Sequence, residues 1–154
     1  MRYTIVRPAF FMENWLHWLD MRQRIESGTL PLPLASETRL QMVAVDDIGG
    51  VVAEAFEHPA RWQDRAFELA GDELSMAELA AAFSRVTGHE VRYVQVPWHE
   101  FEAQAGRETA QMLRWFQDAG LHLDIPAIRQ EYPKLTTFDR WLNANWHTAT
   151  RTAG

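Results

Sequence analysis

The chain has 154 residues, of which 47% are hydrophobic and 23% are charged, a balance typical of a folded domain rather than a disordered segment. Its formal net charge of -6, with arginine and lysine scattered singly among acidic residues, disfavours binding to nucleic acid. With no cysteine and no apolar run near the roughly 20 residues of a membrane helix, we expect a cytoplasmic protein without disulfides, thiolate metal sites or membrane contact.

The first half of the chain predicts short strands that alternate with helices. A β-branched and aromatic run predicts a strand at Tyr3–Val6, which Arg7-Pro8 ends because proline has no N–H for a strand ladder. Helical spacing of apolar residues predicts one helix over residues 13–26, and the prolines of residues 30–34 predict an extended loop. The other predicted elements are a strand at Gln41–Val45, a helix from Asp46 to Glu57 closed by His58-Pro59, and a strand over residues 65–70.

The second half predicts mostly helices. Ser75 and Glu78 have the spacing of a capping box, and the helix that they open ends at Gly88. Alternating strands and helices followed by helices indicate an α/β fold with parallel strands and a small helical region. The remaining predictions are a strand at Val91–Val96, helices at Trp98–Ala105 and Arg107–Ala119 (the latter with Met112, Trp115 and Phe116 as its apolar stripe), a last helix capped by Thr136 or Thr137, and a flexible tail at 149–154.

Motifs for common catalytic or metal sites are missing from the sequence. The six histidines are dispersed, and there is no Gly-x-Ser-x-Gly elbow, no Gly-x-Gly-x-x-Gly turn and no usable Tyr-x-x-x-Lys pair. We therefore predict neither a metal site nor a catalytic residue. Asp46-Asp47 has two interpretations, a Mg²⁺ site or the start of a helix, and acidic pairs more commonly serve the second.

The segment from Arg7 to Trp15 is the best candidate for a binding site. It follows a predicted strand and precedes a helix, so it lies at the carboxyl end of a strand, where open α/β sheets bind ligands. In one interpretation Phe10 and Phe11 form an exposed apolar shelf beside polar Glu13 and Asn14. In the other, the two phenylalanines fill the core.

Four segments in chain order resemble NmrA-like proteins, which are atypical short-chain dehydrogenases that bind NAD(P). These segments are Thr4–Asn14, Val43–Gly49, residues 67–79 and residues 106–142. The resemblance implies an α/β fold that is the C-terminal, substrate-side part of a Rossmann-like NAD(P)-binding fold, formed by residues 1–148 with a few short strands and a small helical cap region. It implies NAD or NADP as the cofactor, bound mainly by a glycine-rich N-terminal half that this sequence does not contain.

The same resemblance assigns roles to the loop Pro8–Asn14, because in this family the corresponding loop contacts the nicotinamide end of the cofactor and lines the substrate cleft. It supplies no catalytic tyrosine or lysine, since those positions lie upstream. The residues implied are Pro8, Phe10, Phe11 and Asn14 for the cofactor, and Glu13 and Trp15 for a small-molecule substrate.

The implied function is that of an NAD(P)-dependent reductase or a redox sensor, with a chain that is not active alone. The alternative is a non-enzymatic interaction module. In that case strand edges left exposed at Tyr3–Val6 would pair with another chain, either a second copy or a missing N-terminal half.

Overall fold

A computed structural model describes residues 2–147, and the predicted tail at 149–154 lies outside this range. The strands are β1 (Thr4–Pro8), β2 (Phe10–Phe11), β3 (Thr29–Leu32), β4 (Arg39–Val43), β5 (Arg65–Leu69), β6 (Asp72–Ser75) and β7 (Arg92–Gln95). The helices are α1 (Asn14–His17), α2 (Met21–Glu26), α3 (Val45–Glu57), α4 (Pro59–Trp62), α5 (Met76–Thr87), α6 (Trp98–Ala105), α7 (Arg107–Asp118), α8 (Ile125–Glu131) and α9 (Phe138–Asn145).

The strands form three small sheets, and their pairings are mainly parallel. β1 pairs with β5 and β3 pairs with β7, both in parallel. β2 pairs with β4 in parallel, and β4 pairs with β6 in the antiparallel direction. The predicted α/β class with parallel strands is confirmed.

Two clusters of buried side chains hold these elements together. The larger one joins β2, β4, α5 and α9 around fully buried rings such as Trp15, Phe83 and Phe138. The smaller one lies under α3 and includes Val51, Trp62 and Leu69. Within residues 2–147, no helix combines the length and apolar character needed to cross a membrane.

The single helix predicted over residues 13–26 is wrong, because the chain kinks inside it. Leu19 and Asp20 have φ values of 51° and 53°, in the left-handed region, and a 3-10 turn at Trp18–Asp20 separates α1 from α2. The kink lets Trp18 pack on Phe10, with ring centroids 5.8 Å apart, while Met21 on the next helix is also buried.

Two predictions that rested on proline are wrong, the loop at residues 30–34 and the end of the first strand before Pro8. In both places the proline nitrogen faces an open strand edge, so the strand can include the proline. The loop predicted at residues 30–34 begins as strand β3. The carbonyls of Gly28 and Leu32 accept bonds from β7, so the intervening Pro31 faces away from that partner. Pro8 is likewise the last residue of β1, since the Ala9 N–H donates to Leu69 and alternation turns the Pro8 nitrogen outward.

The start of the predicted second strand shifts to Arg39, and four elements, β2, α4, β6 and α8, are not among the predictions. Of the apolar stripe predicted for α7, Phe116 alone packs against the larger core cluster. Ala110 and Leu113 are the buried residues of this helix, whereas Met112 and Trp115 are exposed. The capping box at Ser75 is confirmed, and of the two threonines Thr137 caps the last helix.

Gly49 and Gly50 are adjacent in α3 but have different surroundings. A Cβ at Gly50 would overlap the hydroxyl of buried Tyr132, whereas a Cβ at Gly49 would meet no atom within 4 Å. We expect Gly50→Ala to lower the free energy of unfolding by roughly 1–2 kcal/mol because the Tyr132 ring must shift. We expect Gly49→Ala to raise it by about 1 kcal/mol because alanine favours the helix. Urea denaturation measures both, and effects of the same sign would contradict this placement of Tyr132.

Candidate functional site

The loop Pro8–Asn14 lies where the carboxyl ends of three strands meet. It leaves β1, pairs briefly with β4 as β2, and enters α1. The Ala9 N–H donates to the Leu69 carbonyl at 2.9 Å, and the Met12 N–H donates to the Val43 carbonyl at 3.0 Å. These bonds tie the loop to the ends of β5 and β4, so its backbone is part of the scaffold.

Phe10 and Phe11 have opposite environments because successive side chains of a strand point to opposite faces. Phe10 is buried, with its ring centroid 5.5 Å from that of Trp15 and 6.2 Å from that of Phe116. Phe11 is 38% exposed. The two interpretations of the sequence therefore apply to one phenylalanine each: Phe10 fills the core, and Phe11 forms the shelf.

Other residues of the loop also divide between surface and interior. Pro8 is exposed and Asn14 is half-buried, so both reach solvent near Phe11 in the chain. Trp15 is fully buried, and its indole N–H points at the Met42 sulfur at 3.4 Å. In the described chain Trp15 therefore has no exposed surface.

Glu13 makes the most extensive polar contacts of this loop. Its carboxylate oxygens each lie 3.1 Å from the backbone nitrogen of Val45, the first residue of α3, and accept its N–H. One of them also accepts the indole N–H of Trp141 in α9, at 2.9 Å. The N-cap residue of α3 is Ala44, which has no side-chain acceptor, so Glu13 supplies the cap from 32 positions away.

The Asp46-Asp47 pair lies in the first turn of α3, as the helix-start interpretation predicts, although the N-cap residue is Ala44. Asp46 is exposed in the first turn of α3, where a negative charge suits the helix dipole. Asp47 is buried and accepts the Thr136 N–H at 2.8 Å and the Thr136 hydroxyl at 3.0 Å. It therefore fixes the segment before α9 against α3.

Two more side chains that the sequence analysis missed complete this network. Arg129 donates to the carbonyls of Leu135 and Gly71, both at 2.7 Å. Asp72 accepts the Phe138 N–H at 2.7 Å, at the start of α9. The Arg129–Gly71 and Asp72–Phe138 bonds span 58 and 66 residues, and no local motif signals such contacts.

The acidic side chains of this region serve the structure rather than a ligand, and one face of the loop is open to solvent. The carboxylates of Glu13, Asp47 and Asp72 already accept protein N–H groups. In the part of the chain that the structure describes, no three His, Cys, Asp or Glu side chains are grouped to hold a metal ion. The pKa of the nearby Tyr132 phenol is raised, mainly by burial and further by the negative charges of Asp47 and Glu54. The surface left for a ligand is that of Pro8, Phe11 and Asn14.

The sequence profile of the NmrA-like family matches residues 1–142. The chain belongs to the NmrA-like family. The resemblance seen in the sequence is thereby confirmed, and with it the membership of a family of NAD(P)-binding oxidoreductases.

Relatives of known structure or function agree with this assignment. The NAD(P)H azoreductase of Xenophilus azovorans is 35% identical over 97 residues, which are 62% of this chain and 32% of that protein. A nucleoside-diphosphate-sugar epimerase from Staphylococcus aureus has a similar structure, with a TM-score of 0.79 and 23% identity over 92% of this chain and 52% of that one. The NADPH-dependent quinone oxidoreductase of Escherichia coli, solved with NADPH, gives a TM-score of 0.75 and 22% identity over 94% and 53%.

The matches cover most of this chain but only part of each relative. Nearly all of this NmrA-like chain superposes on each of the two structures, yet it spans only about half of them, and about a third of the azoreductase. The shared part is a Rossmann-like α/β fold.

Glu13 offers a test of how the loop is held. We expect Glu13→Ala to lower the free energy of unfolding by roughly 1–3 kcal/mol, because the Val45 N–H and the Trp141 indole lose their acceptor. Glu13→Gln keeps one acceptor oxygen, so its effect should be smaller. Thermal and urea denaturation measure both variants.

Glu37→Ala is the matched control, since Glu37 is exposed on the loop before β4. If Glu13→Ala and Glu37→Ala change stability equally, the capping role of Glu13 is wrong.

Proposed function

We propose that this chain forms the nicotinamide- and substrate-side wall of an NAD(P)-dependent reductase or NAD(P) sensor, with residues 1–148 as that portion. The observation that carries the proposal is the loop Pro8–Asn14. It is tied to the carboxyl ends of the strands, where open α/β sheets bind ligands, and it leaves the Phe11 ring in solvent. We also propose a cytoplasmic location, where reduced nicotinamide cofactors are available.

The relatives support the kind of reaction. One is named as an NAD(P)H azoreductase, and another is an NADPH-dependent quinone oxidoreductase with NADPH bound. When bound, such a cofactor supplies a hydride to an acceptor. We therefore propose NAD or NADP as the cofactor and a small organic electron acceptor as the substrate.

The residues of the loop suit the nicotinamide end of the cofactor. Phe11 offers an apolar ring, and Asn14 offers an amide that both donates and accepts hydrogen bonds. Pro8 keeps the backbone beside them stiff. Phe10 and Trp15 contribute through packing behind the loop, and Glu13 contributes by holding it in place.

The same residues do not make a complete dinucleotide site. Within residues 2–147 the loop provides no glycine-rich turn for a pyrophosphate, and the carboxylates of Glu13 and Asp47 already accept protein N–H groups. We therefore propose that the chain alone is not an active enzyme, and that a second half supplies the phosphate contacts and the proton donor.

This proposal is tested by measuring NADPH binding with and without that half. The chain alone should bind NADPH weakly or not at all, whereas the chain joined to the polypeptide encoded upstream in the same reading frame should bind it. In the joined protein, Phe11→Ala should weaken NADPH binding by roughly tenfold, the value of one exposed aromatic contact. Fluorescence titration of the nicotinamide measures the affinity.

Met112→Ala is the control for this titration, because Met112 is exposed to a similar degree (39%) on α7. A joined protein that still fails to bind NADPH contradicts the proposed function. Equal losses in Phe11→Ala and Met112→Ala contradict the assignment of the loop.

The second candidate function is an interaction module without enzyme activity. The observation in its favour is the exposure of Tyr3 and Ile5 at β1, which pairs only with β5 among the described strands. In this case a second copy pairs at β1, and the chain is a stable dimer that buries Tyr3–Val6. Light scattering at micromolar concentration distinguishes the two, since a strictly monomeric, folded chain excludes this alternative.

A further inference from the structure

A small cavity lies between the kink after α1 and helix α6. It has a volume of about 190 Å³. Its wall includes Leu19 and Asp20 of the kink, Met21 of α2 and Phe101 of α6. In the described structure no residue of the loop Pro8–Asn14 lines this cavity, so it is a separate place from the open face proposed for the cofactor.

The backbone on one side of the cavity has an unfavourable conformation. Leu19 and Asp20 are consecutive residues with φ values of 51° and 53°, in the left-handed region that a bulky residue such as leucine rarely adopts. Such backbone persists only where its surroundings hold it, and it is concentrated at functional sites. Here the Leu19 carbonyl accepts the Nε–H of Arg24 at 3.3 Å. The same bond therefore supports the kink and holds the Arg24 guanidinium beside the cavity, which Arg24 also lines.

The interior of the cavity is apolar. Met21 and Phe101 form its buried floor, and Leu19, Pro31 and Val96 lie half-buried around them. An apolar cavity of about 150 Å³ can hold a benzene molecule. This cavity therefore has room for a single ring or a branched aliphatic side chain.

Charged side chains of both signs surround the opening. Asp20 and Glu100 contribute carboxylates, Arg24 contributes a guanidinium, and all three side chains are exposed. Within residues 2–147 Arg24 forms no ion pair with either carboxylate, and Glu100 has only an exposed contact of 3.9 Å with His99. Opposite charges that border one opening without neutralising each other are both available to a ligand that carries both charges.

We propose that this cavity binds a free α-amino acid with an apolar side chain, such as leucine or phenylalanine. The apolar side chain of the ligand packs against Met21 and Phe101. Its ammonium group lies between the carboxylates of Asp20 and Glu100, and its carboxylate accepts hydrogen bonds from Arg24.

Ligands with a single charge suit the opening less well. An apolar acid would pair with Arg24 but would meet two carboxylates of its own sign. An apolar amine would pair with the carboxylates but would place its charge beside the guanidinium and leave that group without an acceptor. A small polar amino acid such as glycine would leave the apolar floor empty.

The first test is calorimetric titration of the chain with phenylalanine and with three compounds that each lack one part of it. Phenylethylamine lacks the carboxylate, phenylpropionate lacks the ammonium group, and glycine lacks the ring. Phenylalanine should bind with a Kd on the order of 1 mM or lower, as expected for a ligand of this size. Each of the other compounds should bind roughly tenfold more weakly or worse. Absent binding of both phenylalanine and leucine overturns the proposal, as does equal binding of any of the three partial compounds.

Variants that keep the shape of the cavity test the charged groups one at a time. Asparagine tolerates the left-handed region, so Asp20→Asn removes the charge without relaxing the kink. Glu100→Gln is the equivalent change on α6, and each variant should weaken phenylalanine binding roughly tenfold. Arg24→Gln should weaken the binding of phenylalanine and leave that of phenylethylamine unchanged, because only phenylalanine carries a carboxylate. An equal effect of Arg24→Gln on both ligands contradicts the assigned contact.

Glu102→Gln is the matched control, because Glu102 lies on the same helix as Glu100 and does not line the cavity. Without ligand, Glu100→Gln and Glu102→Gln should unfold at the wild-type temperature. Equal losses of phenylalanine binding in these two variants overturn the site.

Nuclear magnetic resonance gives the position of the bound ligand. Phenylalanine should shift the amide signals of Leu19, Met21 and Phe101 and leave those of Phe11 and Phe56 in place. Shifts centred on Phe11 would mean that the amino acid binds the open face of the loop, which also overturns the proposal. None of these measurements involves a nicotinamide cofactor, so their outcome is independent of the proposed function.

Discussion

The carboxylate of Glu13 joins three parts of the chain that lie far apart in sequence. It lies in the loop after β1, and it accepts hydrogen bonds from the first turn of α3 and from the Trp141 indole of α9. The first N–H groups of a helix have no partner inside the helix, so an acceptor at that end stabilises it. By supplying that acceptor, Glu13 contributes to the positions of the loop, α3 and the C-terminal helix relative to one another.

The other acidic side chains around the loop act in the same way. Asp47 and Asp72 accept backbone N–H groups at the segment before α9, and Arg129 donates to the carbonyls beside them. These groups use their hydrogen bonds to hold the segment that enters α9 against α3 and β6. Under the proposed function, the chemistry of the reaction comes from the cofactor and from residues elsewhere.

Elements with local signals could be predicted from the sequence, and those with distant partners could not. The capping box of Ser75 and Glu78 is closed within four residues, so its pattern alone located the start of α5. The cap of α3 lies 32 residues from the helix it serves, and neither Glu13 nor Ala44 signals it. Pro31 predicts the absence of a strand, because the sequence does not show the partner strand. In the structure β7 pairs with the other edge of β3, so the Pro31 nitrogen faces the open edge.

The same limit applies to the candidate site and to the exposed faces. Phe10 and Phe11 are identical in type, and only the pairing of β2 with β4 decides which one is buried. The sequence of α3 also does not show which of its apolar residues face outward. Val45, Val52 and Phe56 are exposed because Val51 and Asp47 occupy the inner face. Family resemblance pointed to the loop, whereas its tertiary contacts show which of its residues are buried.

Helix α3 links the loop to an exposed apolar face. Its N-terminal turn is capped by Glu13 of the loop, and its residues Val45, Val52 and Phe56 are exposed. Under the proposed function, the hydrogen bonds that tie the loop to this helix keep it rigid before a cofactor arrives, which lowers the entropic cost of binding at Phe11.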